Sequence, residues 1–261
     1  MRFSSIQLAA NDGETRRQRM ERAAAYLQDI SEQADKPVQI MFPEIWATGF
    51  FGFARYYEQA EDDRGETYDL MSAWARKLNC YIHTGSFVEK NGESHYNTSL
   101  LLAPNGSVVA KYRKIHLFGY CSKEAELLCG GSALGVCDTE YGRVGLATCY
   151  DLRFPELFRA MVNLGAEYFL VNSAWPKGRL EHWRLFNQAR AVEDQCFLIS
   201  CNGTGTQNGS TLAGHSMIVD PWGEILAEGR ETEAIVTAEV DPARIVDNRE
   251  HFSALKDKKL I

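Results

Sequence analysis

Cys149 is the residue of this chain whose setting is best suited to chemistry. It follows residues 142–147, which predict a short buried strand, and it precedes residues 154–164, which predict a helix. Pro155 suits the first turn of that helix, and Gly165 suits its end. We therefore expect Cys149 in a tight strand-to-helix turn, where the helix N-terminus lowers the pKa of the thiol and offers free backbone N–H groups. A thiolate beside such donors is suited to acyl transfer.

Two further segments carry side chains that complement a thiol. Glu44 ends a Phe-Pro-Glu motif after the apolar residues 38–41, and Lys114 lies in the run 111–118. Together with the motif around Cys149, they resemble the nitrilase superfamily, the carbon–nitrogen hydrolases with a Glu–Lys–Cys active site. The order of the three residues and the spacings between them fit that family, and the resemblance covers nearly the whole chain.

Amide hydrolysis divides among these side chains in a simple way. Glu44 can take the thiol proton of Cys149 and later return it to the departing ammonia. Lys114 can hold the developing oxyanion together with a backbone N–H, which we expect to be that of Tyr150. The acyl group then rests on Cys149 as a thioester until water hydrolyses it. This reaction needs no metal and no organic cofactor, and the histidines never fall at the His-Glu-x-x-His spacing of a catalytic zinc.

The resemblance also implies a second glutamate, which supports the lysine from the loop that follows it. Glu124 and Glu126 are both candidates, since each lies a few residues before a glycine. Aligning Gly131 with the family's glycine favours Glu124, and the alternative stays open from the sequence alone.

Other polar residues near the motifs have simpler interpretations. Asp151 and Arg153 are expected to brace the turn as an ion pair, and His116 is expected to support the neighbouring lysine motif by hydrogen bonding. Asn97 begins an Asn-Thr-Ser sequon, but we expect no glycosylation, because nothing in the chain predicts secretion.

The residues around the motifs point to one branch of the superfamily. Runs 149–156, 114–118 and 172–176 look like the Nit and ω-amidase branch, whose enzymes hydrolyse small carboxamides, often monoamides of dicarboxylic acids. The expected substrate is therefore an ω-monoamide of a dicarboxylic or keto acid, which is converted to the acid and ammonia. Alternatives are an N-carbamoyl amide hydrolase, a general short-chain aliphatic amidase, or a non-catalytic partner protein on the same scaffold.

Such a substrate needs an apolar wall and a cation. Phe118, Tyr150 and Trp175 are the aromatic side chains expected to wall its aliphatic part. The predicted cations are Lys177 and Arg179, which come just after residues 172–176 at the end of the predicted strand 168–172. Arginine suits bidentate binding of a carboxylate best.

Composition excludes several other functions. The 261 residues carry a net charge of -7 and contain no basic run, which argues against nucleic-acid binding. The seven cysteines are irregularly spaced and lack a Cys-x-x-Cys pair, which argues against a disulfide or zinc framework. The N-terminal residues 1–8 read as a strand and not as a signal peptide, and no apolar run approaches the roughly 20 residues of a membrane helix. We expect a cytoplasmic enzyme whose partners are a small amide and water.

Strand and helix patterns alternate from end to end, which predicts an α/β layered fold. The resemblance implies a four-layer αββα sandwich in a single domain, residues 1–261, and an assembly that is at least a homodimer. Helices are predicted over 15–34, 67–78, 154–164 and 181–194, with a last short helix after 241–242. Strands are predicted over 3–10, 38–42, 81–89, 96–103, 108–111, 142–147, 168–172, 197–201, 212–219, 224–227 and 234–240.

Overall fold

A computed structural model describes residues 1–259 and builds them around two six-stranded sheets. The helices are α1 Arg16–Ser31, α2 Glu66–Leu78, α3 Glu124–Leu127, α4 Pro155–Asn163, α5 Leu180–Asp194, α6 Ala243–His251 and α7 Ala254–Asp257. The strands are β1 Arg2–Gln7, β2 Gln39–Met41, β3 Tyr81–Asn91, β4 Ser94–Leu102, β5 Val108–Arg113, β6 Gly135–Thr139, β7 Gly142–Thr148, β8 Tyr168–Ser173, β9 Phe197–Asn202, β10 Thr206–Gln207, β11 Ser210–Thr211, β12 Met217–Val219, β13 Ile225–Glu228 and β14 Ala234–Glu239.

Each large sheet has a parallel centre and antiparallel edges. The strand orders are β14-β1-β2-β3-β4-β5 and β13-β12-β9-β8-β7-β6, with β1 to β3 parallel in the first sheet and β7 to β9 parallel in the second. Parallel neighbours need crossover connections, and α1, α2, α4 and α5 supply them. The carboxyl ends of the parallel strands of the two sheets lie against each other. There the N–H of Glu44, just beyond β2, donates to the carbonyl of Ser173 at the end of β8 over 3.2 Å.

The layers follow the expected order of helices, sheet, sheet, helices. α1 and α2 cover the outer face of the first sheet, and α4 and α5 cover the outer face of the second, where Phe158 of α4 meets Phe169 of β8 edge-on at 5.0 Å. The inner faces pack on each other through a stack of three rings, Phe3, Tyr168 and Phe197, with centroids 5.8 and 5.7 Å apart. The four-layer αββα prediction is confirmed.

Some local elements differ from the prediction. The predicted strand 212–219 is reduced to β12, because residues 213–216 leave the sheet. There Ser216 donates its N–H and its hydroxyl to the side-chain oxygen of Gln7, and its hydroxyl oxygen accepts the N–H of Asn202. The edge strand β6 was not predicted. It pairs only with β7, and its short polar sequence lacks the apolar pattern of the central strands.

No helix within residues 1–259 combines the length and the apolar character needed to cross a membrane.

A bulge in β3 presses the first sheet against the segment that carries Glu44. The pairing of β3 with β4 shifts between His83 and Ser86, and Gly85 at the shift has φ +68°. A Cβ atom on Gly85 would lie 2.1 Å from the carbonyl oxygen of Pro43. Glycine is therefore required both by the left-handed backbone and by this close approach.

We expect Gly85→Ala to lower the free energy of unfolding by about 2–5 kcal/mol, because left-handed backbone costs alanine roughly 1–2 kcal/mol and the clash adds about 1–3 kcal/mol. Gly92 is the matched control. Its φ is +63°, and no atom lies within 4 Å of a Cβ built there. Gly92→Ala should cost only the roughly 1–2 kcal/mol of strain. Urea unfolding of both variants measures the difference, and equal losses would contradict a steric role for Gly85.

Candidate active site

Glu44 lies where the two sheets meet. The main chain of Glu44 is held by its bond to Ser173. The next residue, Ile45, has φ +43° and donates its N–H to the side chain of Ser86 in β3 over 3.0 Å. Positive φ is a genuine outlier for a β-branched residue, and such backbone strain concentrates at functional sites. The surrounding strands thus hold the Glu44 side chain in one place, with 2% of the residue exposed.

Cys149 follows β7 directly and has the same unusual backbone, with φ +49°. It opens a short 3₁₀ helix, Cys149–Arg153, and the α-helix begins only at Pro155. The predicted strand-to-helix turn is present, but the cysteine does not lie at the N-terminus of the α-helix. The expected helix-dipole effect on its thiol is therefore weaker than the sequence suggested, because such effects fall off within one turn.

Asp151 fixes this turn, although not through the expected partner. Its carboxylate accepts hydrogen bonds from the N–H of Thr148 at 2.9 Å, the hydroxyl of Tyr112 at 2.7 Å and the N–H of His116 at 3.1 Å. The His116 ring also contacts it at 2.7 Å through Nδ1. The predicted ion pair with Arg153 is wrong. His116 does act as a prop, but it supports the cysteine turn from the lysine side.

Lys114 follows β5 and points its ammonium group between two carboxylates. Its Nζ lies 2.8 Å from Glu44 Oε1, and 3.0 and 2.8 Å from the two oxygens of Glu124. All three side chains have zero exposed fraction. The structure thus brings Glu44, Lys114 and Glu124 into one buried cluster of charges.

The choice between the two loop glutamates follows from this geometry. Glu124 opens the short helix α3 and turns inward, where its Oε2 also accepts the N–H of Phe118 at 2.7 Å. Glu126, half a turn further along, is exposed. Spacing could not separate them, because the inward direction depends on a helix of four residues that the sequence did not predict.

Asn97 completes the cluster and was missed as a site residue. Its side-chain nitrogen lies 2.8 Å from Glu44 Oε1 and 2.7 Å from Glu124 Oε1, and the residue is fully buried. Asn97 was noted in the sequence only as the start of a sequon. The one usable signal was its place in a predicted strand adjoining the strand that leads to Lys114.

Mutual attraction outweighs burial for the lysine of this cluster. Burial alone would lower the pKa of Lys114, but the carboxylates of Glu124 and Glu44 raise it above its usual range, so the ammonium form persists. For Glu124, burial and the charge of Glu44 raise the pKa, against the opposing effect of Lys114.

The pKa of the Cys149 thiol is raised, whereas the sequence suggested that it would be lowered. Burial is the main cause and the charge of Glu44 adds to it, while Lys114 opposes both. Cys149 is therefore a neutral thiol at rest, and it needs a base at the moment of reaction.

A small cavity opens onto Cys149. The predicted aromatic residues Phe118, Tyr150 and Trp175 line it. Phe118 and Tyr150 meet edge-on at 5.1 Å. The remaining lining residues are Phe50, Phe51, Arg153, Ala174, Pro176 and Arg179.

Two arginines supply the positive charge of this cavity. Arg153 lies 4.9 Å above the ring of Trp175, and Arg179 lies 5.2 Å above the ring of Phe118. Within residues 1–259, neither guanidinium forms an ion pair with a carboxylate. Burial and the charge of Arg179 lower the pKa of Arg153. Lys177, the other predicted cation, is exposed and pairs with Glu231 at 2.7 Å instead.

In the part of the chain that the structure describes, no group of three or more His, Cys, Asp or Glu side chains is arranged to hold a metal ion.

Comparison with known proteins places this geometry in a family. The sequence model of the family described as carbon-nitrogen hydrolase matches residues 4–250. The chain is 35% identical to the 2-oxoglutaramate amidase of Paenarthrobacter nicotinovorans over 241 residues, which cover 89% of this chain and 82% of the relative. It is 32% identical to the human omega-amidase NIT2 over 246 residues, which cover 91% and 88% of the two chains.

The fold agrees with a solved structure along its whole length. The crystal structure of Nit3 from Saccharomyces cerevisiae, a member of branch 10 of the nitrilase superfamily, superimposes with a TM-score of 0.90 at 28% identity. The match covers 100% of this chain and 97% of Nit3.

The position of Glu124 generates a direct test with a neighbouring control. Glu124→Gln keeps the shape of the side chain but removes one of the two charges that hold Lys114. We expect kcat for amide hydrolysis to fall at least about 10²-fold, the size of effect seen when an electrostatic donor is displaced. Glu126→Gln should stay within a few-fold of the unmodified enzyme. Ammonia release measures both, and the reverse ranking would contradict the geometry.

Proposed function

The chain belongs to the carbon–nitrogen hydrolase family and is an amidase, and on that premise we propose that it hydrolyses an ω-monoamide of a dicarboxylic or keto acid through a thioester on Cys149. The observation that carries the proposal is the buried cluster of Glu44, Lys114 and Glu124 beside a thiol that opens onto a cavity. Two arginines line that cavity, and neither forms an ion pair within residues 1–259. The names of the two amidase relatives, 2-oxoglutaramate amidase and omega-amidase, support the same substrate class.

In the first half of the reaction, the thiol adds to the amide carbon. Glu44 accepts the thiol proton as the sulfur–carbon bond forms, so the neutral resting thiol becomes nucleophilic only when substrate is in place. Its Oε2 already accepts the N–H of Ala174 at 2.8 Å, and Ala174 lines the cavity together with Cys149.

The tetrahedral adduct carries its negative charge on the former carbonyl oxygen. Lys114 and the N–H of Tyr150 stabilise that oxygen. Two of the three contacts of Lys114 go to the same carboxylate, that of Glu124, and a single N–H can serve both of those oxygens in a shared bond. One N–H of the ammonium group is then free for the oxyanion without any loss of charge pairing.

Collapse of the adduct breaks the carbon–nitrogen bond. The proton on Glu44 passes to the leaving nitrogen, so ammonia departs and the acyl group remains on Cys149 as a thioester. Water then adds to the thioester and gives its proton to Glu44. The second adduct expels the sulfur, which recovers that proton, and the products are the carboxylic acid and the resting enzyme.

Glu124 acts through Lys114 and not on the substrate. It holds the ammonium group by two contacts while Glu44 changes its proton in each half-reaction. A second anion keeps Lys114 charged and in place when Glu44 is briefly neutral. This role explains why one lysine is flanked by two buried carboxylates.

The remote carboxylate of the substrate pairs with the cavity arginines. Arg153 and Arg179 are desolvated in part by the aromatic rings beneath them, and neither has an anion of its own among residues 1–259. Arginine forms bidentate bonds to carboxylates, which orients the substrate as well as binding it. The aliphatic part of the substrate lies against Phe118, Tyr150 and Trp175.

Three broader features belong to the same proposal. The whole chain, residues 1–261, forms one carbon–nitrogen hydrolase domain, and the enzyme works in the cytoplasm. It associates at least as a homodimer, for which the exposed Leu185 and Val192 on α5 offer apolar surface. Light scattering distinguishes such a dimer from a 29.4 kDa monomer.

The substrate class is tested with the monoamide of succinic acid and its methyl ester, by ammonia release. The acid should be the much better substrate, because only it carries the charge that the arginines bind. Arg153→Gln or Arg179→Gln should raise KM for the acid by about 10–100-fold, the worth of a charge-assisted hydrogen bond, and should change KM for the ester little. Lys177→Gln, at a cation outside the cavity, is the control and should change neither. Equal turnover of acid and ester by the unmodified enzyme would instead indicate a general short-chain amidase.

A further inference from the structure

We propose that Asn97 is a positioning residue of the amidase reaction, whose single side-chain amide group holds the carboxylates of Glu44 and Glu124 in their working arrangement around Lys114. The inference rests on the proposed function, because it assigns a role within that mechanism. Asn97 touches neither the cavity nor, in the proposed mechanism, the substrate.

The geometry is that of one donor group shared by two acceptors. The Asn97 nitrogen lies 2.8 Å from Glu44 Oε1 and 2.7 Å from Glu124 Oε1. An amide nitrogen has two N–H bonds, so each carboxylate receives one. These are the two oxygens that also contact Lys114, at 2.8 and 3.0 Å. The amide and the ammonium group therefore hold the same pair of oxygens.

The main chain of Asn97 reaches the third member of the cluster. Its carbonyl accepts the N–H of Lys114 over 2.9 Å, which continues the pairing of β4 with β5. Asn97 thus contacts all three charged residues, two by its side chain and one by its backbone. A change of side chain leaves the backbone contact intact, which makes the side-chain role separable by mutation.

No other short side chain meets the same demand. A hydroxyl would donate only one hydrogen bond, a carboxyl would add a third negative charge, and an ammonium group would pair with the carboxylates and weaken the hold on Lys114. The orientation of the amide follows from its neighbours, since the flipped form would aim its oxygen at two carboxylates. Consistent with this, the amide oxygen has no hydrogen-bond partner among residues 1–259, so the nitrogen side alone accounts for the placement of the group.

The amide also affects proton affinity. Two carboxylates and one ammonium group leave a net negative charge in a site without solvent, and each N–H donated to a carboxylate favours its charged form. Loss of these donors disfavours the charged form of both carboxylates. Because Glu44 must be ionised to accept the thiol proton, the acidic limb of the pH–rate profile should then move to higher pH.

The test compares Asn97→Leu and Asn97→Asp with the unmodified enzyme. Leucine removes both donors, and aspartate keeps the shape while replacing the amide by a carboxyl. Thr98→Val is the matched control. Thr98 is the next residue of β4, is equally buried, and donates to a different buried carboxylate, that of Glu89, over 2.6 Å. It controls for the loss of a buried hydrogen bond to an anion in the same strand.

Two pH profiles are recorded for each protein. One is kcat/KM for the succinic monoamide, and the other is the rate at which iodoacetamide alkylates Cys149, followed by the mass of the peptide that contains it. The second profile needs no turnover, so it tests Asn97 even if the proposed substrate class is wrong. Unfolding midpoints in urea identify any variant that does not fold.

For Asn97→Leu we expect the acidic limb of both profiles to move up by about one to two pH units, the equivalent of a hydrogen bond to a charged group. Asn97→Asp should lose about 10²-fold or more in kcat near neutral pH, because shape alone does not restore the donors. Thr98→Val should lower stability and leave both acidic limbs unchanged. Unshifted limbs in a folded Asn97→Leu variant, or near-normal activity of Asn97→Asp, would overturn the inference.

Discussion

The ammonium group of Lys114, buried between two carboxylates, is the interaction on which the rest of this structure depends. Taking three charges out of water carries a large desolvation cost, which attraction between them offsets only when the geometry is good and the remaining hydrogen-bonding capacity is used. Here the N–H groups of Ala174 and Phe118 and the side chain of Asn97 complete the bonding of the two carboxylates. These donors come from three segments far apart in the chain, so the cluster can form only when both sheets are in place.

The need to assemble this cluster accounts for two positions of strained backbone in the fold. Both Ile45 and Cys149 have left-handed backbone, each at an expense of about 1–3 kcal/mol. Each lies just after a parallel strand of a different sheet, and the bulge at Gly85 brings the first sheet against the residues next to Glu44. The two strained positions bring Glu44 and Cys149 from separate sheets into one electrostatic unit, as the proposed base and nucleophile.

The thiol itself is not unusual in its burial. Burial also raises the pKa of Cys80 and Cys196, in each case to about 12. What distinguishes Cys149 is its neighbours, since it alone interacts with both the carboxylate of Glu44 and the ammonium group of Lys114 and also borders a cavity. In the proposed mechanism, such a thiol is neutral at rest and becomes reactive when its proton moves to Glu44.

The sequence predicted those features that depend on short motifs and on their order along the chain. The three motifs around Glu44, Lys114 and Cys149 predicted the family, and through it the four layers, while strand and helix patterns predicted most of the elements within them. It did not predict the role of a residue that depends on contacts between segments far apart in the chain. Asn97 resembled a sequon because nothing local reveals that its amide meets two carboxylates from distant loops.

Arg153 is a second case in which nearness in sequence did not predict a contact. Two residues from Asp151, it looked like the partner of that carboxylate. Asp151 instead bonds to Tyr112 and His116, which come from the first sheet and the loop after it, and this leaves Arg153 to the cavity.

The central claim is that the buried cluster makes Cys149 the nucleophile, and trapping the acyl-enzyme tests it most directly. A slowly hydrolysed amide is mixed with the enzyme, the reaction is quenched in acid, and intact and peptide masses are measured. We expect an increase equal to the acyl group, located on the peptide that contains Cys149 and absent from Cys149→Ala. An acyl group on another cysteine, such as the exposed Cys121, or continued ammonia release by Cys149→Ala, would contradict it.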